Sequence, residues 1–181
     1  MLIPEDIRAA IEFIHSSDYK FSIATAGAGS LAVSWLLAIP GASNSILDVR
    51  IPYHGKAMED FLGYMPTKFV SDVVSKEMAD RAFLYSRKYA NDLNSGHNLI
   101  GIGCTASIAT NKPKRGDHNF FLSASDGLSR LTIHVILAKD TRSREEEEEV
   151  VSRSIINAIS AECHGTAIGI GTNINDKFRL F

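Results

Sequence analysis

Ser22-Ile23-Ala24-Thr25-Ala26-Gly27-Ala28-Gly29-Ser30-Leu31 reads as the end of a buried strand, a turn of small residues, and the first turn of a helix. Residues 21–24 form a short apolar run that the glycine turn ends, and small and apolar residues fill positions 28–39 until Pro40-Gly41 stops the helix. Such a turn lets backbone N–H groups approach a ligand, and the helix N-terminus behind it favours an anion.

The chain on either side repeats the alternation of strand and helix. Pro4-Glu5-Asp6 starts a helix, with acids at the positive end of its dipole. Ile7, Ala10, Ile11 and Ile14 then follow helical spacing to about residue 17. Residues 45–53 read as a second strand ending at Pro52, and residues 56–62 as a short helix closed by Gly63. Ser71 caps a longer helix in which Val74, Met78, Ala82, Tyr85 and Tyr89 form one stripe. Residues 91–98 are polar and turn-rich. Residues 99–104 suit a central strand, and Gly101 and Gly103 within it imply something packed close against the backbone. Residues 120–122 and 131–137 are two further strands joined at Asp126-Gly127. A last helix runs from roughly residue 143 to 159, with Val151, Ile155, Ala158 and Ile159 inward. This order predicts an α/β layered domain with a mixed sheet over residues 1–163. Residues 164–181 form a glycine-rich tail that reads as an added strand, an oligomer arm or a linker remnant.

With 181 residues, 45% hydrophobic and 22% charged, the composition is that of a globular domain. The net charge of -2 gives no global pull toward nucleic acid or an anionic membrane. The N-terminus turns acidic at once, no apolar run is long enough to cross a bilayer, and two isolated cysteines suggest a reduced, cytoplasmic setting. The six histidines form no metal-spaced pair, so neither a metal nor a cofactor is expected.

Two ligand readings of the turn stand open beside a third, a tight connection that binds nothing. Gly27-Ala28-Gly29-Ser30-Leu31-Ala32 fits the G-x-G-x-x-A dinucleotide pattern, with Asp48 roughly twenty residues on. The rest of the chain lacks the regular strand–helix repeats of a dinucleotide domain. The second reading is a resemblance. The loop, its helix, Pro40-Gly41-Ala42-Ser43, the next strand, Tyr53, Ala57, Leu62-Gly63 and Val70-Ser71 occur in order. Gly101-Ile102-Gly103-Cys104-Thr105 and Lys112-Pro113 follow. Together they resemble the CinA C-terminal domain, the nicotinamide-mononucleotide deamidase family, over residues 7–160. That family reads T-A-E-S-C-T-G-G, V-P-G-A-S, T-Y-S-N-E-A-K and L-L-G-V along the same course.

The resemblance implies a three-layer α/β/α sandwich with a mixed, mostly parallel five-stranded sheet. It also implies a pyridine mononucleotide or other phosphate-bearing ligand, homo-oligomers, and hydrolysis of a carboxamide to acid and ammonia. The family's nucleophilic serine falls on Ala26, the acid before it on Thr25, the following threonine on Ala28, and the glycine pair on Gly29 and Ser30. Its lysine falls on Met58, whereas its tyrosine is kept as Tyr53. Alanine cannot attack a carbonyl and methionine carries no proton, so the family reaction is not expected. An active amidohydrolase would need a rearranged site using Tyr53, Lys56 and Ser30.

The expected ligand contacts are Thr25, Ala26, Gly27, Ala28, Gly29, Ser30, Tyr53 and His54 on the first loops, and Thr105, Ser107, Lys112, Arg115 and His118 on the later ones. Lys112, Lys114 and Arg115 make a basic block suited to phosphate or to plain solubility. Asp117 and His118 would form an acid/base cluster with Tyr53 and His54 if the two loops meet. The acidic run at residues 145–149 reads as solvated charge in the first turns of the last helix, paired with Arg142, Arg144 and Arg153.

Overall fold

In the computed structural model, which describes residues 3–90, 98–111, 115–169, 171–172 and 175–181, the strand ahead of the glycine turn sits second from one edge of the sheet. In chain order the elements are α1 (Glu5–Ser16), β1 (Tyr19–Ala26), α2 (Ser30–Ala38), α3 (Ala42–Ser45), β2 (Ile46–Arg50), α4 (Gly55–Leu62), α5 (Asp72–Ala90), β3 (Asn98–Ser107), β4 (His118–Ser125), β5 (Arg130–Leu137), α6 (Arg144–Glu162) and β6 (Lys177–Leu180). Among the described residues the sheet order is β2-β1-β3-β4-β5-β6. β1 pairs in parallel with β2 and β3, and the remaining pairings are antiparallel. Helices cover both faces, giving the three-layer α/β/α sandwich.

Period-two alternation along β1 sorts the two layers. Phe21 and Ile23 point into a large core with Ile7, Ile11, Trp35, Val151 and Ile155 from α1, α2 and α6. Ala24 and Ala26 point the other way, into a smaller core with Met58, Phe61, Val74 and Met78 from α4 and α5. The small side chains of β1 on that second face match what β3 does beside it. A Cβ at Gly103 would lie 2.2 Å from the Ser75 carbonyl oxygen and 2.3 Å from the Ala79 amide nitrogen. The backbone of α5 therefore rests directly on β3, with no room for a methyl group between them. Hydroxyls fill the remaining gaps: Ser75 bonds Ser123 at 2.8 Å, and Ser123 bonds Thr132 at 2.8 Å.

Several elements differ from the sequence expectation. The second strand does not begin at residue 45, because residues 42–45 close one helical turn and Ser45 turns inward to His15. It ends at Arg50, and Pro52 lies beyond it. The sheet has a sixth strand where the resemblance implied five, because the tail returns as β6 and pairs with β5. Three of the five pairings are antiparallel, since β4 follows β3 as its neighbour and β5 and β6 continue the meander. The β4–β5 turn at residues 126–129 is held by the Asp126 carboxylate, which accepts from the amides of Leu128 (2.8 Å) and Ser129 (2.7 Å). These bonds lower its pKa. On α5 the stripe is buried through Ala82, whereas Tyr89 is exposed. No helix among the described residues is long and apolar enough to cross a membrane.

His15 ties α1 to α2 and α3 and makes this packing sensitive to pH. It is 4% exposed; Nε2 lies 3.0 Å from the Leu36 carbonyl oxygen and Nδ1 2.6 Å from Ser45 Oγ. A carbonyl only accepts, so Nε2 carries the proton and Nδ1 accepts from the hydroxyl, which is the neutral ring. Burial lowers its pKa, and the bond to Leu36 only partly opposes this. The folded chain therefore takes up this proton less readily than the unfolded one. The stability it contributes is complete above the ordinary histidine range and is lost as pH falls. Urea midpoints should drop between about pH 7.5 and about pH 5.5. The drop should be smaller in His15→Gln and should persist in part, because burial also lowers the pKa of His134.

Candidate ligand cleft at the glycine turn

The turn between β1 and α2 requires its glycines. Gly27 and Gly29 have φ of +89° and +94°, and a Cβ at Gly27 would lie 2.0 Å from the Ala106 carbonyl oxygen on β3. The turn is thus pressed against the neighbouring strand, and Thr25 Oγ1 closes it from within by donating to the Ala28 carbonyl at 2.5 Å.

The two sides of the turn face different layers. On the α4 side lies a cleft of about 390 Å³ lined by Ala26, Gly27, Tyr53, Met58, Phe69 and Thr105, with Pro52, Gly55, Val70 and Ala106. The positions that the resemblance assigns to a nucleophile, a lysine and a tyrosine therefore share one cleft, as Ala26, Met58 and Tyr53. Met58 is 2% exposed and forms part of the small core, whereas Tyr53 stands on the rim at 70%. Thr105 Oγ1 donates to the Phe69 carbonyl at 2.9 Å, which fixes that wall. Beyond Tyr53 a wider groove of about 620 Å³ continues past Thr110 and Asn111 to Arg144.

On the α6 side the helix N-terminus is already occupied. The Glu148 carboxylate accepts from the amides of Gly29 (2.9 Å) and Leu31 (3.0 Å) and from Ser30 Oγ (3.0 Å). The anion expected at this helix N-terminus is a side chain of the protein itself. This corrects the reading of residues 145–149 as solvated charge. Glu147 is fully buried, and its carboxylate accepts from the Ala109 amide (2.7 Å) and His118 Nδ1 (2.8 Å). Glu149 keeps the expected helical partner, Arg153, at 2.8 Å. Arg142 pairs instead with Asp176 at 2.7 Å, and Arg144 donates to the Ala109 carbonyl at 2.7 Å. The missed signal was present in the sequence: stepping the inward stripe of Ile159, Ile155 and Val151 back by four lands on Glu147.

The structure separates the other expected contacts. Thr25 and Ala28 are buried, and Gly29 and Ser30 are engaged by Glu148. His54 caps α4 by accepting from the Lys56 amide at 3.2 Å, while His118 is held by Glu147. The four-residue cluster expected with Tyr53 and Asp117 is therefore replaced by a His118–Glu147 pair. Lys56 pairs with Glu59 at 3.4 Å, and neither Lys56 nor Ser30 lines the cleft. Ser107 ends β3, and Arg115 is exposed with its carbonyl accepting from Lys139. Lys112 and Lys114 lie outside the described residues. Asp48 lies within β2, paired with Arg50 at 2.7 Å. Cys104 offers no substitute nucleophile, since full burial pushes its thiol up to about 12. Among the described residues no His, Cys, Asp and Glu cluster is arranged to hold a metal.

No family model and no curated protein matches the sequence. Solved structures do match the fold. The competence/damage inducible protein CihA from Agrobacterium tumefaciens superposes with a TM-score of 0.67 at 20% identity, covering 89% of this chain and 98% of that one. A CinA superfamily protein from Enterobacter cloacae gives 0.63 at 15%, covering 90% and 92%. One from Escherichia coli gives 0.56 at 16%, covering 90% and 91%. The chain has a CinA-like fold.

Removing the internal anion tests the capping role. Glu148→Ala leaves two helix N-terminal amides and a hydroxyl without their acceptor and should cost about 2 kcal/mol in urea denaturation. Added inorganic phosphate or sulfate should then raise the denaturation midpoint of the variant more than that of the unaltered chain.

Proposed function

We propose that the chain is a CinA-like small-ligand-binding domain that holds a pyridine mononucleotide or a related phosphate-bearing compound without hydrolysing its amide. The observation that carries this reading is the chemistry of the cleft. Where the resemblance puts a nucleophile and its lysine, Ala26 and Met58 line the wall, and neither can attack a carbonyl or move a proton. What the cleft retains is an apolar floor, the exposed ring of Tyr53 and the Thr105 wall, which suit a flat ring better than a reaction. The groove running on to Arg144 gives an anionic end somewhere to lie. Ser30 and Lys56, which a rearranged hydrolase would need, are turned to Glu148 and Glu59, so their placement does not favour that alternative. We further propose a single domain over residues 1–163 with residues 164–181 as a tail that adds a strand to it, a cytoplasmic location and self-association.

Thermal-shift titration with nicotinamide mononucleotide, nicotinate mononucleotide and inorganic phosphate, run beside an ammonia-release assay, tests the reading. At least one mononucleotide should raise Tm by a few degrees, as expected for ligand well above its Kd, and no ammonia should appear. Ala26→Phe, which fills the cleft, should abolish the shift. Ammonia release that is lost in Tyr53→Phe would establish a hydrolase instead.

A further inference from the structure

The opposite face of the sheet from the glycine-turn cleft carries a second pocket that the proposed function does not use. It lies between the β4–β5 strands and the C-terminal half of α6, holds about 180 Å³, and is walled by Leu122, Ala124, Leu131, Ile133 and Ala158. An apolar cavity of about 150 Å³ is large enough to stay dry and take up benzene, so this volume matches one small ring or a short alkyl chain.

The polar groups on its wall divide sharply. Ser154 Oγ donates back to the Val150 carbonyl at 2.8 Å. The Asn157 amide is satisfied on both sides by the backbone of Ile168, at 2.8 Å and 2.7 Å. Glu162 makes no hydrogen bond or ion pair among the described residues. It is the last residue of α6, at the negative end of the helix dipole, and the last turn has no basic residue. Asp126, the other carboxylate acting on it, is kept ionised by the amides of its own turn. Burial and Asp126 raise the Glu162 pKa, and His164 is the group that opposes them. An apolar cavity thus opens beneath a carboxylate whose surroundings call for a cation.

We infer that this pocket binds a small lipophilic primary amine, its hydrocarbon part between β4–β5 and α6 and its ammonium group on Glu162. A neutral molecule of the same shape gains the burial but not the charge pairing, and an alkali cation gains the pairing but not the burial.

Isothermal titration calorimetry of the full chain with benzylamine and with benzyl alcohol, near neutral pH and at low salt, separates these contributions. Benzylamine should bind about fivefold more tightly than the alcohol, the scale of one partly exposed ion pair. Glu162→Gln should bring the amine to parity while leaving the alcohol unchanged, and Ala158→Leu, which fills the space, should weaken both. Equal affinities for amine and alcohol in the unaltered chain, or binding of neither, would overturn the inference without any variant. Amine binding that survives Ala158→Leu would overturn it by placing the amine elsewhere. Amine affinity that falls as protein concentration rises would assign the pocket to a second copy of the chain and overturn it as well.

Discussion

Two neighbouring carboxylates on one turn of α6 hold together the end of the sheet where the candidate cleft lies. Glu147 and Glu148 point to different partners, and between them they fix the β1–α2 turn, the segment after β3 and the start of β4. A fully buried carboxylate is costly unless donors surround it, and here one carboxylate takes a backbone amide and an imidazole. The other takes the amides that the start of α2 would leave without partners. With these four donors satisfied internally, the α6 side of the turn is closed. The space for a ligand beside the turn lies on the α4 side.

That side is shaped by the contact of α5 with β3. Because Gly101 and Gly103 place no Cβ between strand and helix at these two positions, α5 lies low on the sheet. α4 packs beside it, with Met58, Phe61 and Leu62 in the small core. Met58 thereby becomes part of the packing as well as part of the cleft wall. A lysine at that position would have to bring its charge into an apolar region, so methionine suits the floor that it helps to form. The Ala26 side chain points into the same core and not toward α6.

The sequence carried the order of elements because each is announced by local chemistry. The proline ahead of α1 and the acids of its first turn, the glycines flanking α2, Ser71 before α5 and Asp126-Gly127 in the hairpin all act within a few residues. The shared cleft of Ala26, Tyr53 and Met58 was legible only through resemblance, because three residues on separate elements have no local signature of contact. The misreading of Glu147 and Glu148 has an equally definite cause. Five consecutive glutamates look solvated by composition, and only the phase of the helix distinguishes the two that turn inward. The tail is ambiguous in sequence for a similar reason: the four residues of β6 stay exposed, and what places them is long-range, the pairing with β5 and the Arg142–Asp176 ion pair beside it.

What the sequence by itself determined is therefore the α/β layering, the glycine turn, and the identity of Ala26 and Met58, neither of which carries a nucleophile or a base. Those follow from residue identity and spacing, which no folding can alter. The tertiary structure decided which of the turn's groups face a ligand and which face the protein. An amide at a helix N-terminus is an anion site only until a carboxylate arrives. Glu148 reaches the turn from 119 positions away along the chain, a meeting that depends on the packing of α6 against α2.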